Sequence, residues 1–372
     1  MRNLLIIVED SIHVNDGYKT RIEMEIELLK EYFKIYVLIP KRDKEVTFRN
    51  KINILNYDAY SNNIPFVLNK YKLLGYLKTI LKDFDDPILY FESLTTAAMV
   101  YDFCKCNNLQ FVYDCHGTVP DEVLLYHNNI IGWLYSRWLR KTEKKIVKFA
   151  DMVVTVSIAQ TKLFNVSRKF VVLPMLPSKH FFSNANYRNE IRNKLNIGLE
   201  KKVFVYSGQM QKWQMAEETI KYYYKLSRTY KDTFLLVLTG QVEEFKELCA
   251  QYDIEYLVMS VNYAEMPKYL DACDYGFCIR DNSIVNRVAS PTKVLEYVAR
   301  GIKPILSSYV GDFSKLFKDN NIGFVIENFN DSISLDSTPI DARNFFSDYV
   351  DSNAKTYCDE IKRLNNNRKY RL

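Results

Sequence analysis

A regular alternation of short apolar runs with longer amphipathic segments constrains the fold of this chain more than any other feature of its sequence. In the first half, strands are predicted over 4–8, 35–39, 88–91, 111–113 and 152–156, and helices over 21–32, 70–82, 95–107 and 133–148. Such alternation is typical of a doubly wound parallel sheet, in which crossover helices join successive strands. The sequence therefore predicts an α/β fold.

The alternation stops after a predicted strand at 170–173 and begins again near Val203. The second series contains predicted strands at 203–206, 234–238, 256–259, 275–279 and 303–306, separated by predicted helices at 216–228, 242–252, 264–272 and 290–301. A chain of 372 residues has room for two ordinary domains. We expect an N-terminal Rossmann-like domain at 1–175, a C-terminal one at 176–346, and a cleft between them. A C-terminal helix and basic tail at 347–372 either stays with the second domain or crosses back to the first.

The composition excludes several classes of protein. Apolar residues make up 48% of the chain, which is enough for full cores, yet no segment approaches about 18 uninterrupted apolar residues. The 51 Lys and Arg are mixed with 45 Asp and Glu, and no nucleic-acid-binding module is recognisable, so no nucleic-acid partner is expected. The seven cysteines form no C-x-x-C pair, which favours a reduced, cytoplasmic protein.

The segment from 289 to 297 is typical of a phosphate-binding helix start. Ser290 is predicted as the N-cap and Pro291 as the first helical residue, while Thr292 adds a hydroxyl and Lys293 a positive charge to the unpaired N–H groups. Glu296 lies one turn further, where its carboxylate can accept hydrogen bonds from sugar hydroxyls. The alternative is an ordinary well-capped helix.

The position of this helix start favours the ligand-binding alternative. It follows the predicted strand that ends at Arg280, and the next predicted strand ends at Ser307. Ligands of open α/β sheets bind at the carboxyl ends of strands. A nucleoside diphosphate has both the phosphates and the sugar hydroxyls that this segment can bind.

Three residues in the first half are candidates for an acceptor-side site. His116 follows a predicted strand closely and has Asp114 nearby, Glu92 directly follows the strand at 88–91, and Gly17 opens the first helix region. Their ordinary alternatives are a structural histidine, a loop carboxylate and a simple turn. No set of residues has the spacing of metal ligands, and the Asp83-Phe-Asp85 pattern precedes its strand, at the wrong end for a ligand. We therefore expect no metal and no cofactor.

The segment 133–148 combines Trp and Tyr with Arg and Lys and is predicted to form an amphipathic helix. Such a composition suits a surface resting on anionic lipid, which would place the protein at the inner face of a cell membrane. The alternative is a solvated helix whose aromatic face packs on the sheet.

Four segments together resemble the GT-B-fold retaining glycosyltransferases of the family-4 type, which include bacterial capsule, O-antigen and exopolysaccharide enzymes. They are SPTKVLEYVARGIKP (290–304), YSGQMQKWQ (206–214), ADMVVTVS (150–157) and YDCHGTVPDE (113–122). The first is similar to the family's donor-binding signature, the second to its glycine-containing loop, the third to its last N-domain strand and the fourth to the loop lining the acceptor side.

The resemblance implies a metal-independent enzyme that moves a sugar, with retention, from a nucleotide-diphosphate donor to a hydroxyl of a surface-glycan acceptor, including a lipid-linked one. A UDP- or GDP-linked sugar is the expected donor. The implied catalytic residues are His116, Arg280 and Lys293. The implied donor-binding residues are Gly208, Gln209, Lys212, Ser290, Pro291, Thr292, Lys293 and Glu296.

The chain departs from this family at three positions. Val288 stands where relatives commonly have a glutamate, and Gln209 and Gln214 stand where they commonly have Arg and Lys. The residues that can supply the missing charge are Arg280, Arg287, Lys212 and Lys293.

These departures leave two alternatives open. One is a non-catalytic GT-B protein that binds a glycan or a partner glycosyltransferase. The other is a sugar-nucleotide epimerase, which would need a pair of acid/base groups, such as His116 and a carboxylate.

Overall fold

The computed structural model describes residues 1–8, 17–41, 53–57, 66–164, 170–335 and 343–366. The chain forms two compact units, which we name unit 1 (Met1–Pro174 with Asp351–Leu372) and unit 2 (Met175–Val350). The tail residues 367–372 lie outside the described residues.

Unit 1 is built on a parallel sheet whose described strands lie in the order β3-β2-β1-β4-β5-β6-β7. These strands are β1 (Arg2–Ile7), β2 (Phe33–Pro40), β3 (Asn53–Tyr57), β4 (Ile88–Phe91), β5 (Phe111–Cys115), β6 (Met152–Thr155) and β7 (Phe170–Val172). The helices are α1 (Gly17–Leu29), α2 (Phe66–Ile80), α3 (Leu94–Cys106), α4 (Val119–Tyr126), α5 (Ile130–Phe149) and α6 (Ile158–Thr161). Strand order reverses between β1 and β4, the position where open sheets of this kind bind ligands.

Every residue of β4, β5 and β6 is buried, because helices cover both faces of a parallel sheet. The helix starts are fixed by local chemistry: the Ser93 side chain accepts a hydrogen bond from the Thr96 N–H at α3, and Asn129 accepts one from the Gly132 N–H at α5. Glu92 and His116 consequently follow the carboxyl ends of two adjacent central strands.

Unit 2 has the same arrangement, with described parallel strands in the order β10-β9-β8-β11-β12-β13. These are β8 (Lys202–Ser207), β9 (Thr233–Leu238), β10 (Tyr256–Met259), β11 (Tyr275–Cys278), β12 (Lys303–Ser307) and β13 (Phe324–Ile326). The helices are α7 (Arg188–Lys194), α8 (Ala216–Thr229), α9 (Val242–Cys249), α10 (Met266–Asp271), α11 (Ile284–Val288), α12 (Thr292–Ala299) and α13 (Gly311–Asn320). The order reverses between β8 and β11, so the loops after these two strands form the expected binding edge.

Close packing of α12 on β11 positions that edge. A Cβ on Gly276 of β11 would lie 2.5 Å from the Tyr297 ring of α12, so only glycine admits this approach. The Tyr297 hydroxyl accepts a hydrogen bond from the Ser207 N–H at 3.1 Å, at the end of β8. Helix α12 is thereby held over the carboxyl ends of β8 and β11.

The last helix, α14 (Arg343–Arg363), belongs to both units: its residues to Val350 lie in unit 2 and those from Asp351 in unit 1. Within unit 1, the buried Tyr357 donates from its hydroxyl to the Tyr90 hydroxyl of β4 at 3.0 Å. The Arg2 guanidinium donates to the Leu364 carbonyl at 2.8 Å. The final segment therefore completes the fold of unit 1.

The prediction of two doubly wound parallel sheets is confirmed. Several elements were not predicted: β3, β13, α4, α6, α7, α11 and α13. In the part of the chain that the structure describes, no helix has the length and apolar character needed to span a bilayer.

Candidate active site

The start of α12 differs from the prediction by one residue. The helix begins at Thr292, and Pro291 occupies the N-cap position with an extended ψ of 120°, so Pro291 is not the first helical residue. Ser290 does not cap the helix either. Its hydroxyl accepts a hydrogen bond from the Met175 N–H at 3.1 Å, so the side chain is turned away from the helix start. The predicted capping roles of Ser290 and Pro291 are therefore wrong.

The end of α12 is as predicted. Gly301 follows the helix with a φ of +74°, a left-handed conformation that favours glycine. The Gly301 N–H donates to the Val298 carbonyl at 3.0 Å and the Ile302 N–H to the Tyr297 carbonyl at 2.9 Å, which is the Schellman arrangement.

Lys293, in the first turn of α12, points at the loop that follows β8. Its Nζ donates to the Gln214 Oε1 at 3.3 Å and lies 4.8 Å from the centre of the Tyr206 ring. Gly208 has a φ of +148°, and a Cβ there would lie 3.0 Å from the Lys293 Nζ. Glycine thus leaves the ammonium group beside bare backbone, as phosphate binding requires.

Arg280 adds a second positive charge at the same edge of the sheet. It lies two residues after the end of β11 and is buried. Its Nη1 donates to the Trp213 carbonyl at 2.7 Å, while its buried Nε has no hydrogen-bond partner among the described residues. Burial, helped by the Arg280 charge, lowers the pKa of Lys293 to about 8. Two partly desolvated cations at one edge of the sheet favour an anionic ligand.

Glu296 lies one turn along α12 and is buried. Its Oε1 accepts a hydrogen bond from the Tyr263 hydroxyl at 2.7 Å, in the loop after β10. Burial raises the pKa of Glu296 to about 7, against the opposing effects of the Tyr263 hydrogen bond and the Lys293 charge. The helix start therefore offers cations at one end and a hydrogen-bond acceptor at the other.

These two pKa values predict how diphosphate binding depends on pH. We expect affinity for UDP to be highest between about pH 7 and pH 8, because Glu296 accepts hydrogen bonds best when ionised and Lys293 attracts phosphate only when protonated. Calorimetric titration from pH 6 to 9 measures the profile. Lys293→Met should abolish the decline in affinity at alkaline pH, and Glu296→Gln should abolish the decline at acidic pH. If both variants kept the pH profile of the wild type, the assignment of the two titrating groups would be contradicted.

The other predicted donor-side residues lie at this edge with different roles. The Gln209 carbonyl accepts a hydrogen bond from the Tyr206 hydroxyl at 3.1 Å, and Lys212 opens a short 3₁₀ turn that ends at Gln214. Val288 is buried in α11, and its apolar side chain cannot make the hydrogen bonds of a glutamate. Arg287 donates to the Asn282 side chain at 2.6 Å on an exposed face. Of the four candidates for the missing charge, the structure brings Lys293 and Arg280 together.

In unit 1, His116 and Glu92 lie in one cluster with Asp114. The His116 Nε2 is 2.6 Å from the Asp114 Oδ2 and 3.2 Å from the Glu92 Oε2. Both carboxylates are fully buried, whereas the imidazole is partly exposed and contacts the Tyr18 ring edge-on, with centroids 5.7 Å apart. Gly17, the third candidate, is the first residue of α1, next to Tyr18.

Two members of this cluster, Arg21 and Glu25 on α1, were not predicted. Arg21 donates from Nη2 to both Asp114 oxygens, at 3.2 Å and 3.1 Å, and its Nε lies 2.9 Å from the Glu25 Oε1. Its Nη1 donates to the Leu173 carbonyl at 2.7 Å. Glu25 also accepts a hydrogen bond from the Tyr90 hydroxyl at 2.9 Å. The sequence signal was only an Arg–Glu pair four residues apart, which is common on exposed helices.

The electrostatics of the cluster separate its three carboxyl groups. Burial opposes ionisation of Asp114, but the charge of Arg21 and the hydrogen bond with His116 outweigh it and hold the pKa of Asp114 below its usual range. Burial raises the pKa of Glu92 to about 8, and burial with the neighbouring carboxylates raises the pKa of Glu25 well above its usual range. Asp114 is therefore the ionised member.

The same cluster is the one place in the described residues where several metal-type ligands converge. One atom each of Glu25, Glu92, Asp114 and His116 lies within 4.8 Å of the others. Two observations disagree with a bound cation. The 2.6 Å contact between His116 and Asp114 has the length of a hydrogen bond, so the Nε2 carries a proton and cannot ligate a metal. Arg21 already contacts two of the carboxylates.

Helix α5 exposes its apolar residues along its first half. Ile130 and Ile131 are each 74% exposed, Trp133 is 48% and Trp138 is 44% exposed. Its sheet-facing positions are occupied instead by Leu139, Ile146 and Val147. The alternative in which the aromatic face packs on the sheet is therefore wrong for both tryptophans.

Comparison with known proteins agrees with this architecture. Residues 187–336 match the family described as Glycosyl transferases group 1, and this range covers most of unit 2. An uncharacterized glycosyltransferase of Methanocaldococcus jannaschii is 22% identical over 278 residues, or 68% of each chain.

Solved structures of similar fold cover nearly the whole chain. The sucrose-phosphate synthase of Thermosynechococcus elongatus superposes with a TM-score of 0.70 at 12% identity, over 97% of this chain and 94% of that one. Anabaena HepE in complex with UDP-glucose gives 0.63 at 12% identity, over 95% and 92%. WaaG, a glycosyltransferase involved in lipopolysaccharide biosynthesis, gives 0.63 at 13% identity, over 96% and 95%. The predicted GT-B fold and the predicted glycosyltransferase domain are confirmed.

Proposed function

We infer, from the group 1 glycosyltransferase domain of unit 2, that this chain is a glycosyltransferase that uses a nucleoside-diphosphate sugar. The observation that carries the proposal is the pairing of Lys293 and Glu296 one turn apart at the start of α12. The ammonium group faces the Gly208 backbone and the carboxylate faces Tyr263. This arrangement matches the two ends of a nucleoside diphosphate, with phosphate at the cations and ribose hydroxyls at the carboxylate.

The leaving diphosphate gains negative charge as the glycosidic bond breaks. Lys293 and Arg280 are in place to stabilise that charge, since charge-assisted hydrogen bonds are worth roughly 1.5–3 kcal/mol each. They can therefore do the work that a metal does in other transferases. We propose a metal-independent reaction with retention, in which the leaving phosphate helps to deprotonate the acceptor.

UDP is the preferred nucleotide in this proposal, because HepE, a protein of the same fold, has been solved with UDP and with UDP-glucose. The acceptor is proposed to be a hydroxyl of a surface glycan, bound by unit 1 near His116 and Glu92. Its capsule, O-antigen or exopolysaccharide origin rests on the sequence resemblance. WaaG, which acts in lipopolysaccharide biosynthesis, has the same fold.

A thermal-shift panel tests the proposal directly. UDP, GDP, CMP, ADP and dTDP are compared with and without Mg²⁺, because a ligand at a hundred times its dissociation constant stabilises the native state by about 2.7 kcal/mol. We expect one diphosphate, UDP, to raise the melting temperature equally with and without the metal. A shift that requires Mg²⁺ would contradict the metal-independent reaction.

The non-catalytic alternative makes a different prediction for the same panel. A protein that binds glycan without using a donor should show no shift with any nucleotide. Release of UDP from UDP-sugars in the presence of candidate acceptors then separates a transferase from an epimerase, because an epimerase changes the sugar but leaves it attached to the nucleotide.

We also propose that α5 rests on an anionic membrane surface. Its exposed apolar residues lie on the same helix as the exposed Arg137 and Lys141, and the Arg137 guanidinium lies 4.9 Å from the Trp133 ring centre. Each basic residue near such a surface contributes roughly 1 kcal/mol. This contact would bring a lipid-linked acceptor to the enzyme.

Tryptophan fluorescence tests this contact, because the chain has three tryptophans and two of them are on α5. In a Trp213→Phe background, we expect vesicles of phosphatidylglycerol and phosphatidylcholine to shift the emission to the blue and pure phosphatidylcholine to leave it unchanged. Replacing Ile130 and Ile131 by serine should reduce binding more than tenfold. Equal emission with both vesicle types would exclude an electrostatic membrane contact.

A further inference from the structure

The buried cluster of unit 1 contains more negative charge than its one arginine can neutralise. Glu25, Glu92 and Asp114 are all fully buried, and Arg21 is the guanidinium among them. Uncompensated charges in a protein interior are strongly destabilising, so a proton or a cation must balance the excess. The hydrogen-bond geometry decides between the two.

Three carboxyl oxygens in this cluster lack a hydrogen-bond donor: the Glu25 Oε2 and both oxygens of Glu92. Their residues are neighbours, and the cluster's ligand atoms lie within 4.8 Å of one another. Neighbouring carboxyl oxygens that lack any other donor are the arrangement in which one proton is shared, because two like charges at such a distance cannot both remain ionised.

Asp114 is held differently. Its two oxygens accept three hydrogen bonds from Arg21, so it remains a carboxylate, and its Oδ2 lies 2.6 Å from the His116 Nε2. A carboxylate can only accept, which means that the Nε2 donates and carries the ring proton. In the neutral imidazole, the other nitrogen, Nδ1, is then a hydrogen-bond acceptor.

We propose that Asp114 is a positioning residue that fixes the tautomer of His116, and that Glu25 and Glu92 share one proton, which lowers the net negative charge of the cluster. The Nδ1 of His116 is thereby left free to accept a hydrogen bond from a sugar hydroxyl. This role deepens the proposed function of unit 1 and rests on it. The ligand is a hydroxyl group of the acceptor or of the transferred sugar.

Among the described residues, the charged and titratable groups around Glu92 and Glu25 take part in this balance. They are Arg21 and Glu25 from α1, Tyr90 from β4, Asp114 and His116 from β5 and its following loop, and Tyr357 from α14. The Tyr357 hydroxyl donates a hydrogen bond to the Tyr90 hydroxyl, which in turn donates to Glu25. These tyrosines therefore stabilise the Glu25–Glu92 pair without supplying a charge.

Two NMR measurements on the ligand-free protein test the proposal without any need for turnover. In protein labelled with ¹³C at the glutamate side-chain carboxyl carbon, we expect one resonance to titrate near pH 8 and to disappear in Glu92→Gln. Glu25→Gln should shift that titration, because Glu92 loses the carboxyl group with which it shares the proton. Glu243→Gln, at an exposed surface carboxylate, is the matched control and should leave it unchanged.

The second measurement is the ¹⁵N spectrum of the imidazoles, in which His116 is assigned by its loss in His116→Gln. We expect the Nε2–H tautomer in the wild type and a mixture of tautomers in Asp114→Asn, because an amide can also donate to Nε2. A merely structural role of Asp114 would leave the tautomer unchanged.

Three results would overturn the inference. The first is that the resonance lost in Glu92→Gln titrates below about pH 5.5, and the second is that Asp114→Asn keeps the wild-type tautomer. The third is that Mn²⁺ or Zn²⁺ at micromolar concentration perturbs His116 and raises the melting temperature, which would make the cluster a metal site. Failure of UDP to bind would refute the proposed donor function and leave these NMR results unaffected.

Discussion

Replacing Glu296 by alanine is expected to lower kcat/KM for the nucleotide sugar by roughly 10²- to 10⁴-fold. The carboxylate is proposed to accept hydrogen bonds from both ribose hydroxyls, each worth roughly 1.5–3 kcal/mol, and about 1.4 kcal/mol corresponds to a tenfold change. The fold should survive, because in this protein the carboxylate has one hydrogen-bond partner, Tyr263, among the described residues. Steady-state UDP release and the UDP-induced thermal shift both measure the effect.

Two matched variants isolate the carboxylate. Tyr263→Phe removes only the hydroxyl that donates to Glu296, so we expect a loss of about tenfold or less. Glu265→Ala removes a nearby exposed carboxylate that is paired with Lys268 at 3.4 Å, and it should have no effect. Near-normal turnover in Glu296→Ala would refute the donor-site assignment.

Replacing Arg21 by methionine is expected to destabilise unit 1 by about 3–5 kcal/mol, the usual cost of removing one partner from a buried ion pair. Methionine fills much of the space of the arginine. It leaves Asp114 buried without the three hydrogen bonds from Arg21, and Glu25 without the ion pair to the Arg21 Nε at 2.9 Å. Urea unfolding followed by circular dichroism measures the loss. A difference below about 1 kcal/mol from the wild type would contradict the role assigned to this guanidinium.

The matched control for Arg21→Met is Lys30→Met, at an exposed lysine directly after α1. Lys30 pairs with Glu27 at 3.0 Å but is exposed, so we expect its replacement to change the free energy of unfolding by about 0–1 kcal/mol.

The destabilisation caused by Arg21→Met should also become smaller in acid. Because Arg21 and His116 hold the pKa of Asp114 below its usual range, Asp114 stabilises the fold above about pH 4, and this stabilisation is lost as the pH falls further.

Much of the fold was predictable because strands buried on both faces appear as continuous apolar runs, as in Ile88–Phe91 and Tyr275–Cys278. The elements that were missed lack this signal. Strand β3 lies at the sheet edge and is only half apolar, so its pattern is weak. Helix α7 is mostly polar, and its buried Arg192 donates to backbone carbonyls of the following loop, a contact that no periodicity indicates.

The candidate site was predictable where its residues are close in sequence. Lys293 and Glu296 lie in one helix turn, and local spacing identified both. Tyr263 is 33 residues from Glu296, and Arg21 is 93 residues from Asp114. Those contacts arise from the packing of the sheets, so a single sequence carries no trace of them.

The division of α14 between the units has a consequence for how the protein is made. The sequence of unit 2 is complete at Val350, whereas unit 1 still lacks the buried Tyr357 and Ile361 at that point of synthesis. Domains generally fold as units as the chain leaves the ribosome. The half that begins first is therefore the half that finishes last, because the hydrogen bond that the Tyr90 hydroxyl accepts comes from the end of the chain.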